Sequence, residues 1–149
     1  MRGILCGAIA IGVVVGTSPS VYASAFALSA SDLQAKRAAY DAACTAMVPP
    51  AGCATASNHG QYVKCISHQA SADATLPRSC HGAVVKCAAK STCGKPGFVT
   101  CCRTTAKGKT TCSIKSDAAH CKATKHGTAC VGQRPSCCDA CISGGCAAP

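Results

Sequence analysis

Residues 98 to 114 read FVTCCRTTAKGKTTCSI, with β-branched and aromatic residues running up to Ala106-Lys107-Gly108 and resuming beyond it. Two such runs separated by a short Gly-containing stretch predict a β-hairpin. A three-residue loop with Gly108 in the left-handed region makes Thr105 face Lys109, Thr104 face Thr110 and Cys102 face Cys112. Directly opposed strand residues have Cα atoms about 4.5 to 5.5 Å apart, within disulfide reach, so a Cys102–Cys112 bridge is expected. A two-residue loop would shift that register by one.

Upstream of the turn cluster at 94–97 the pattern becomes helical. HGQYVKC at 59–65 returns twenty-two positions later as HGAVVKC at 81–87, five of seven letters in register. On a helix, residues six apart point about 120° apart, so His59 and Cys65 of one copy do not converge on one ion. Cys80, Val84 and Cys87 instead form one stripe, as do His59, Val63 and Ile66, while Tyr62, Cys65 and His68 mark a second face of the first copy. Both copies read as short helices, the first after Ser57-Asn58 as caps and reaching about Gln69, the second after Ser79-Cys80 and ending before Gly94. A longer helix precedes them over 31–47, with Ser31 as N-cap, Leu33, Arg37, Tyr40, Cys44 and Met47 spaced three or four apart, and Pro49-Pro50 as its stop. Past the hairpin, a helical turn capped by Ser116 and then cysteine-tied irregular chain are expected.

The first 25 residues read as a secretory signal peptide: Arg2, an apolar run from Ile4 to Val15, then small residues, with cleavage after Ala25 or after Ala23. Thr17 to Ser20 end that run too early for a membrane anchor. Of the 124 residues that follow, only 15 are Leu, Ile, Val, Phe or Met, below the roughly 20% level at which apolar burial sustains a fold. Fifteen cysteines take over that role: Cys44, Cys53, Cys65, Cys80, Cys87, Cys93, Cys101, Cys102, Cys112, Cys121, Cys130, Cys137, Cys138, Cys141 and Cys146. A bridge closing a loop of tens of residues is worth about 2 to 4 kcal/mol, and such cysteine density belongs to secreted or periplasmic chains. The odd count leaves one thiol free, acting as a ligand, or pairing with another chain in a disulfide-linked dimer. The expected architecture is one small disulfide-rich α+β domain over 26–149, helical over 31–92, hairpin and loops over 94–149.

No cofactor is implied and no enzyme is expected: the chain has no Glu, no nucleophile motif and no Gly-rich phosphate loop. Cys138-Asp-Ala-Cys141 has the CxxC spacing of thiol oxidoreductases, which place the first Cys at the exposed N-terminus of a helix after a strand; here Cys137 abuts it and Gly144-Gly145 and Cys146 follow. The adjacent pairs Cys101-Cys102 and Cys137-Cys138 are expected to send bridges to opposite sides. Cys65 and His68 offer the one approach to a metal pair on a helix, and an oxidising compartment favours disulfides over it.

After the signal, fourteen Lys and Arg less five Asp leave a net charge of +9. That favours anionic polymers or lipid head groups, or a protein surface, as partners. Arg103, Lys107, Lys109, Lys115, Lys122 and Lys125 are the candidate contact residues. Four aromatic residues and no Trp give nucleic acid few stacking platforms, so no specific nucleic-acid binding is expected. The function expected is that of an exported, cationic, non-enzymatic binding module. The alternatives are an antimicrobial or toxin-like membrane-active effector, and a metal-binding or thiol-active protein.

The strings NHGQYVKC at 58–65, STCGKPGFVTCC at 91–102 and the later SCCDAC resemble a group of exported, cysteine-rich bacterial proteins of unknown function. The resemblance spans most of 57–141 and implies export and disulfide bonding, with no activity attached.

Overall fold

The computed structural model describes residues 28–148; the signal peptide expected over 1–25 lies outside them. Three helices lead: α1 (Ala30–Thr45), α2 (His59–Ala72) and α3 (Arg78–Ala89). Helix α1 starts two residues earlier than its sequence suggests. Ser29, not Ser31, is the N-cap: its hydroxyl accepts from the Asp32 amide while the Asp32 carboxylate accepts from the Ser29 amide, a reciprocal capping box. Asn58 caps α2 as expected, its side chain accepting from the Gln61 amide, whereas α3 has Pro77 as N-cap, without a side-chain cap, and takes in Ser79 and Cys80, which were expected to precede it.

The repeat proves structural. Equivalent positions are buried in both copies, Tyr62 with Val84, Cys65 with Cys87 and Ile66 with Ala88. All of these but Cys87 join Leu33, Tyr40, Cys44, Ala70 and Leu76 in the larger core. Arg37 and Met47, expected on the apolar stripe of α1, do not join it. Arg37 instead pairs with Asp139, and Met47 is exposed.

The second half is a three-stranded antiparallel sheet in the order β2-β1-β3, built from β1 (Val99–Thr104), β2 (Thr110–Lys115) and β3 (Thr128–Gly132). The hairpin register holds: Cys102 opposes Cys112 and Thr104 opposes Thr110. Its loop closes with the Thr105 amide donating to the Lys109 carbonyl at 3.0 Å and the Gly108 amide to Thr105 at 2.8 Å. Gly108 sits at φ +75°, where a side chain would be strained.

Strand β3 corrects the expectation of irregular chain. Its five residues, TACVG, carry no clear alternation, and their pairing with the free edge of β1 is a long-range contact. Gly132 allows it to close: a Cβ there would stand 2.6 Å from Ala140 Cβ and 2.7 Å from Thr100 Oγ1. The turn after β2 is a single 3-10 turn, Ala118–His120, capped by Asp117 rather than Ser116. A four-residue helix α4 (Cys137–Ala140) and a minimal hairpin of β4 (Cys141–Ile142) and β5 (Gly145–Cys146) complete the chain. The result is a small disulfide-rich α+β fold, helices first and strands second.

Seven bridges join described residues to one another. Cys44–Cys65 ties α1 to α2, and Cys53–Cys93 joins the loops that follow α1 and α3. Cys87–Cys138 fastens α3 to α4 across 51 residues of sequence, linking the helical half to the sheet half. Cys101–Cys121, Cys102–Cys141, Cys112–Cys137 and Cys130–Cys146 tie down the sheet and its covering segments. At about 2 to 4 kcal/mol each, they offset the scarcity of large apolar side chains. The adjacent pairs do diverge, but the expected Cys102–Cys112 bridge does not form: both residues point to the inner face of the sheet and bond to the C-terminal segment lying on it. Cys80 is fully buried and is not a free thiol.

Candidate functional site

Strand alternation gives the sheet two unlike faces. Thr100, Cys102 and Thr104 point inward, towards α4 and β4. Val99, Cys101 and Arg103 point outward, opposite Lys115, Ser113 and Thr111 of β2. Because β2 and β3 flank β1 on opposite sides, residues 116–127 must cross the outer face, and Cys101–Cys121 pins that crossing. Lys122 and Lys125 lie on the crossing segment, so they share the side of the sheet that carries Arg103 and Lys115. Lys107 and Lys109 stand exposed at the loop end. Lys115 is six residues further, about 20 Å at the usual strand rise. Arg103, Lys115, Lys122 and Lys125 therefore share the outer side of the sheet, with Lys107 and Lys109 at its loop end, and the six expected contact residues do not form a single cluster.

Arg103 is half-buried among these six, and its Nε is buried with no hydrogen-bond partner. The other five cations have little competition from carboxylates. Asp32 is held by the α1 cap, and its Ser29 hydrogen bonds keep its carboxyl below the ordinary range. Asp41 accepts from the Cys53 amide at 2.6 Å. Asp73 is taken by Lys36, Thr75 and Tyr40, which hold it far below the usual carboxylate range, Lys36 contributing most. Asp139 pairs with Arg37. Asp117 receives hydrogen bonds from the ring and amide of His120, which lower its pKa. Among the described residues the only Lys or Arg ion pairs are those of Lys36 and Arg37. From 86 to 134 ten Lys and Arg face Asp117 alone.

The two histidines of the repeat are structural as well. His59 spans two segments: Nδ1 lies 2.8 Å from the Cys93 carbonyl and Nε2 3.1 Å from the Ala89 carbonyl, at the end of α3. His81 Nε2 lies 3.2 Å from the carbonyl of Leu76. The Cys65–His68 metal alternative is corrected: the Cys65 sulfur is bonded to Cys44 and supplies no thiolate, while His68 is exposed beside a groove of about 650 Å³ lined by Met47, Val48 and Lys64. Likewise Cys138 and Cys141 of the CxxC bond to Cys87 and Cys102 and not to each other.

A cavity of about 190 Å³ opens where α1 and α3 meet residues 134–139, with Arg37, Asp41, Tyr62 and Asp139 in its walls. Burial, reinforced by Asp41, pushes the Tyr62 phenol up to about 12.

What sequence reasoning missed is the sulfur row on the inner face. Cys102, Cys112 and Cys130 oppose one another across the three strands, and their partners Cys141, Cys137 and Cys146 cover them. The sulfurs of Cys102, Cys112 and Cys141 lie within 4.8 Å of one another, as do those of Cys102, Cys130 and Cys146. The position of β3 was the absent information, since it alone brings Cys130 into the row. Among the described residues no helix is long and apolar enough to cross a membrane. No protein-family model, curated protein or solved structure matches the chain.

Proposed function

We propose that this is an exported, non-enzymatic module that binds anionic polymer or lipid head groups through the outer face of its sheet. The observation that carries the reading is the strip from Arg103 and Lys107 to Lys125, whose cations lack carboxylate partners among the described residues: four Asp are engaged away from it, and Asp117, on the crossing segment, is taken by His120. Unpaired cations on a rigid, disulfide-held face keep their charge available to a partner and lose little entropy on binding. The bridges need an oxidising compartment; export to the periplasm or beyond through residues 1–25, and kinship with cysteine-rich bacterial exported proteins, belong to the same proposal.

Vesicles containing phosphatidylglycerol, and a sulfated polysaccharide resin, test it at low ionic strength. The protein should bind both, lose binding as salt screens the charges, and ignore neutral phosphatidylcholine vesicles. Each lysine near an anionic membrane is worth about 1 kcal/mol, so Lys107→Gln with Lys109→Gln should weaken vesicle binding roughly thirtyfold. Absence of binding to both anionic surfaces overturns the reading. Dye leakage from the vesicles would favour the membrane-active effector instead. That alternative needs an amphipathic cationic helix, and the apolar residues of α1, Leu33, Tyr40 and Cys44, are turned into the core.

A further inference from the structure

The inner face of the sheet holds chemistry that the charged outer face does not use. Three bridges lie side by side: Cys112–Cys137, Cys102–Cys141 and Cys130–Cys146, with Cα separations of 5.5, 5.5 and 6.1 Å. The middle one is shut off from solvent, Cys102 at 0% and Cys141 at 3% exposure. The outer two are half-buried at both ends. Among the described residues no other three sulfurs come so close together.

We propose that this row is a thiol–disulfide exchange site for small thiols, in which Cys102 passes from Cys141 to its strand neighbour Cys112 or Cys130. Exchange proceeds by attack of a thiolate on a bridge sulfur, so it requires access to the first bridge and proximity for the second. A small monothiolate can reach Cys112–Cys137 but not Cys102–Cys141. It bonds to the Cys137 sulfur, breaking that bridge, and the electron pair leaves on Cys112 as a thiolate. The Cys112 thiolate then attacks the Cys102 sulfur, forming Cys102–Cys112 and expelling Cys141 as a thiolate, which takes a proton from water. One thiol is consumed and one appears, with no net oxidation. The same two steps run from Cys130–Cys146, through the second sulfur triad.

The register makes the swap cheap. Cys102 directly opposes Cys112 on one side and Cys130 on the other. Opposed strand residues stand at Cα distances of about 4.5 to 5.5 Å, which a disulfide spans without displacing the strands. What moves is the C-terminal segment: once Cys141 is released, β4 loses its covalent tie to β1, and Ala140, buried against the sheet, is free to lift. The outcome is a surface covered in one bridge pattern and open in the other, set by a small thiol.

The test uses the native, fully oxidised protein with a limiting amount of reduced glutathione, followed by acid quench, alkylation and mass mapping with fragmentation between Cys101 and Cys102. Cys141 should be among the first residues alkylated, and a Cys102–Cys112 or Cys102–Cys130 peptide should replace Cys102–Cys141. Glutathione attached to Cys137 or Cys146 with Cys102–Cys141 intact overturns the proposal, as does first labelling at Cys44, Cys65, Cys53 or Cys93. A second reading comes from Cys137→Ser, which leaves Cys112 without its partner. That variant should fold with Cys102–Cys112 closed and Cys141 free, with no thiol added; alkylation at Cys112 beside an unchanged Cys102–Cys141 bridge refutes the exchange.

Discussion

Cys102 and Cys112 face each other across β1 and β2 and are bonded to neither of their opposing strands: Cys102 goes to Cys141 and Cys112 to Cys137. Two bridges leaving adjacent strands for one segment clamp residues 137–141 onto the sheet, where a single cross-strand bridge would only have doubled the hairpin's own hydrogen bonds. Mapping of the acid-quenched native protein under non-reducing conditions should therefore return Cys102–Cys141 and Cys112–Cys137. A Cys102–Cys112 peptide from protein never exposed to thiol would contradict the structure.

The clamp works because β3 and α4 approach closely at Gly132. Any side chain there meets Ala140 Cβ and Thr100 Oγ1 below 3 Å, and the Thr100 hydroxyl is already committed to the carbonyls of Gly132 and Arg134 at 3.1 and 2.9 Å. Gly132→Ala should cost about 1 to 3 kcal/mol through overpacking, read as a melting temperature lowered by several degrees. Ala substituted for Gly82, where nothing lies within 4 Å of the added atom, should be neutral or stabilising. Equal melting temperatures for the two variants would show that the sheet and α4 are not in contact at Gly132.

How much of this was readable in the chain follows the range of the contacts involved. The helices, their repeat and the hairpin register are set by local periodicity and turn chemistry, so HGQYVKC, HGAVVKC and AKG carried them. The Arg37–Asp139 pair joins residues 102 positions apart, and β3 pairs with the far edge of β1. Neither leaves a local pattern. Bridge connectivity failed for the same reason: proximity of Cys102 to Cys112 was legible, but the choice of partner depended on where residues 137–146 fold back. The cationic strip was legible as composition and its spread over the outer side and loop end of the sheet was not, because the crossing of 116–127 depends on strand order.

Acid should loosen the junction between α1 and the turn after α2. Asp73 binds Lys36 at 2.6 Å and accepts the Tyr40 hydroxyl at 2.6 Å, and these partners hold its carboxyl well below its ordinary value, near 4 in an unfolded chain. A depressed folded-state pKa means that the carboxylate stabilises the fold fully above about pH 5, and that this stability drains away as pH falls through about 4 and lower. The melting temperature should drop between about pH 6 and pH 2. Asp73→Asn should start lower at neutral pH and fall less. Asp32 and Asp117, also depressed by their hydrogen bonds, account for the slope that remains. An Asp73→Asn curve parallel to the native one would assign the acid sensitivity elsewhere.

The repeated histidines occupy equivalent sequence positions and do unequal work. His59 has a carbonyl at each ring nitrogen, one from Ala89 at the end of α3 and one from Cys93, the partner of Cys53. It therefore joins the start of α2 to the end of α3 and to the following loop. Among the described residues His81 has only the Leu76 carbonyl, five residues back along the chain. A hydrogen bond contributes about 0.5 to 1.5 kcal/mol net, and a deserted half-buried carbonyl adds to its loss. His59→Ala should accordingly destabilise by about 1 to 2 kcal/mol and His81→Ala by less than about 1. In native-state hydrogen exchange, His59→Ala should raise opening at the end of α3 and around Cys93 while leaving β1 and β2 protected. If the two alanine variants melt together and neither changes exchange at residues 89–94, the bridging role of His59 is wrong, and the twenty-two-residue repeat keeps its histidines for a reason outside the packing of these helices.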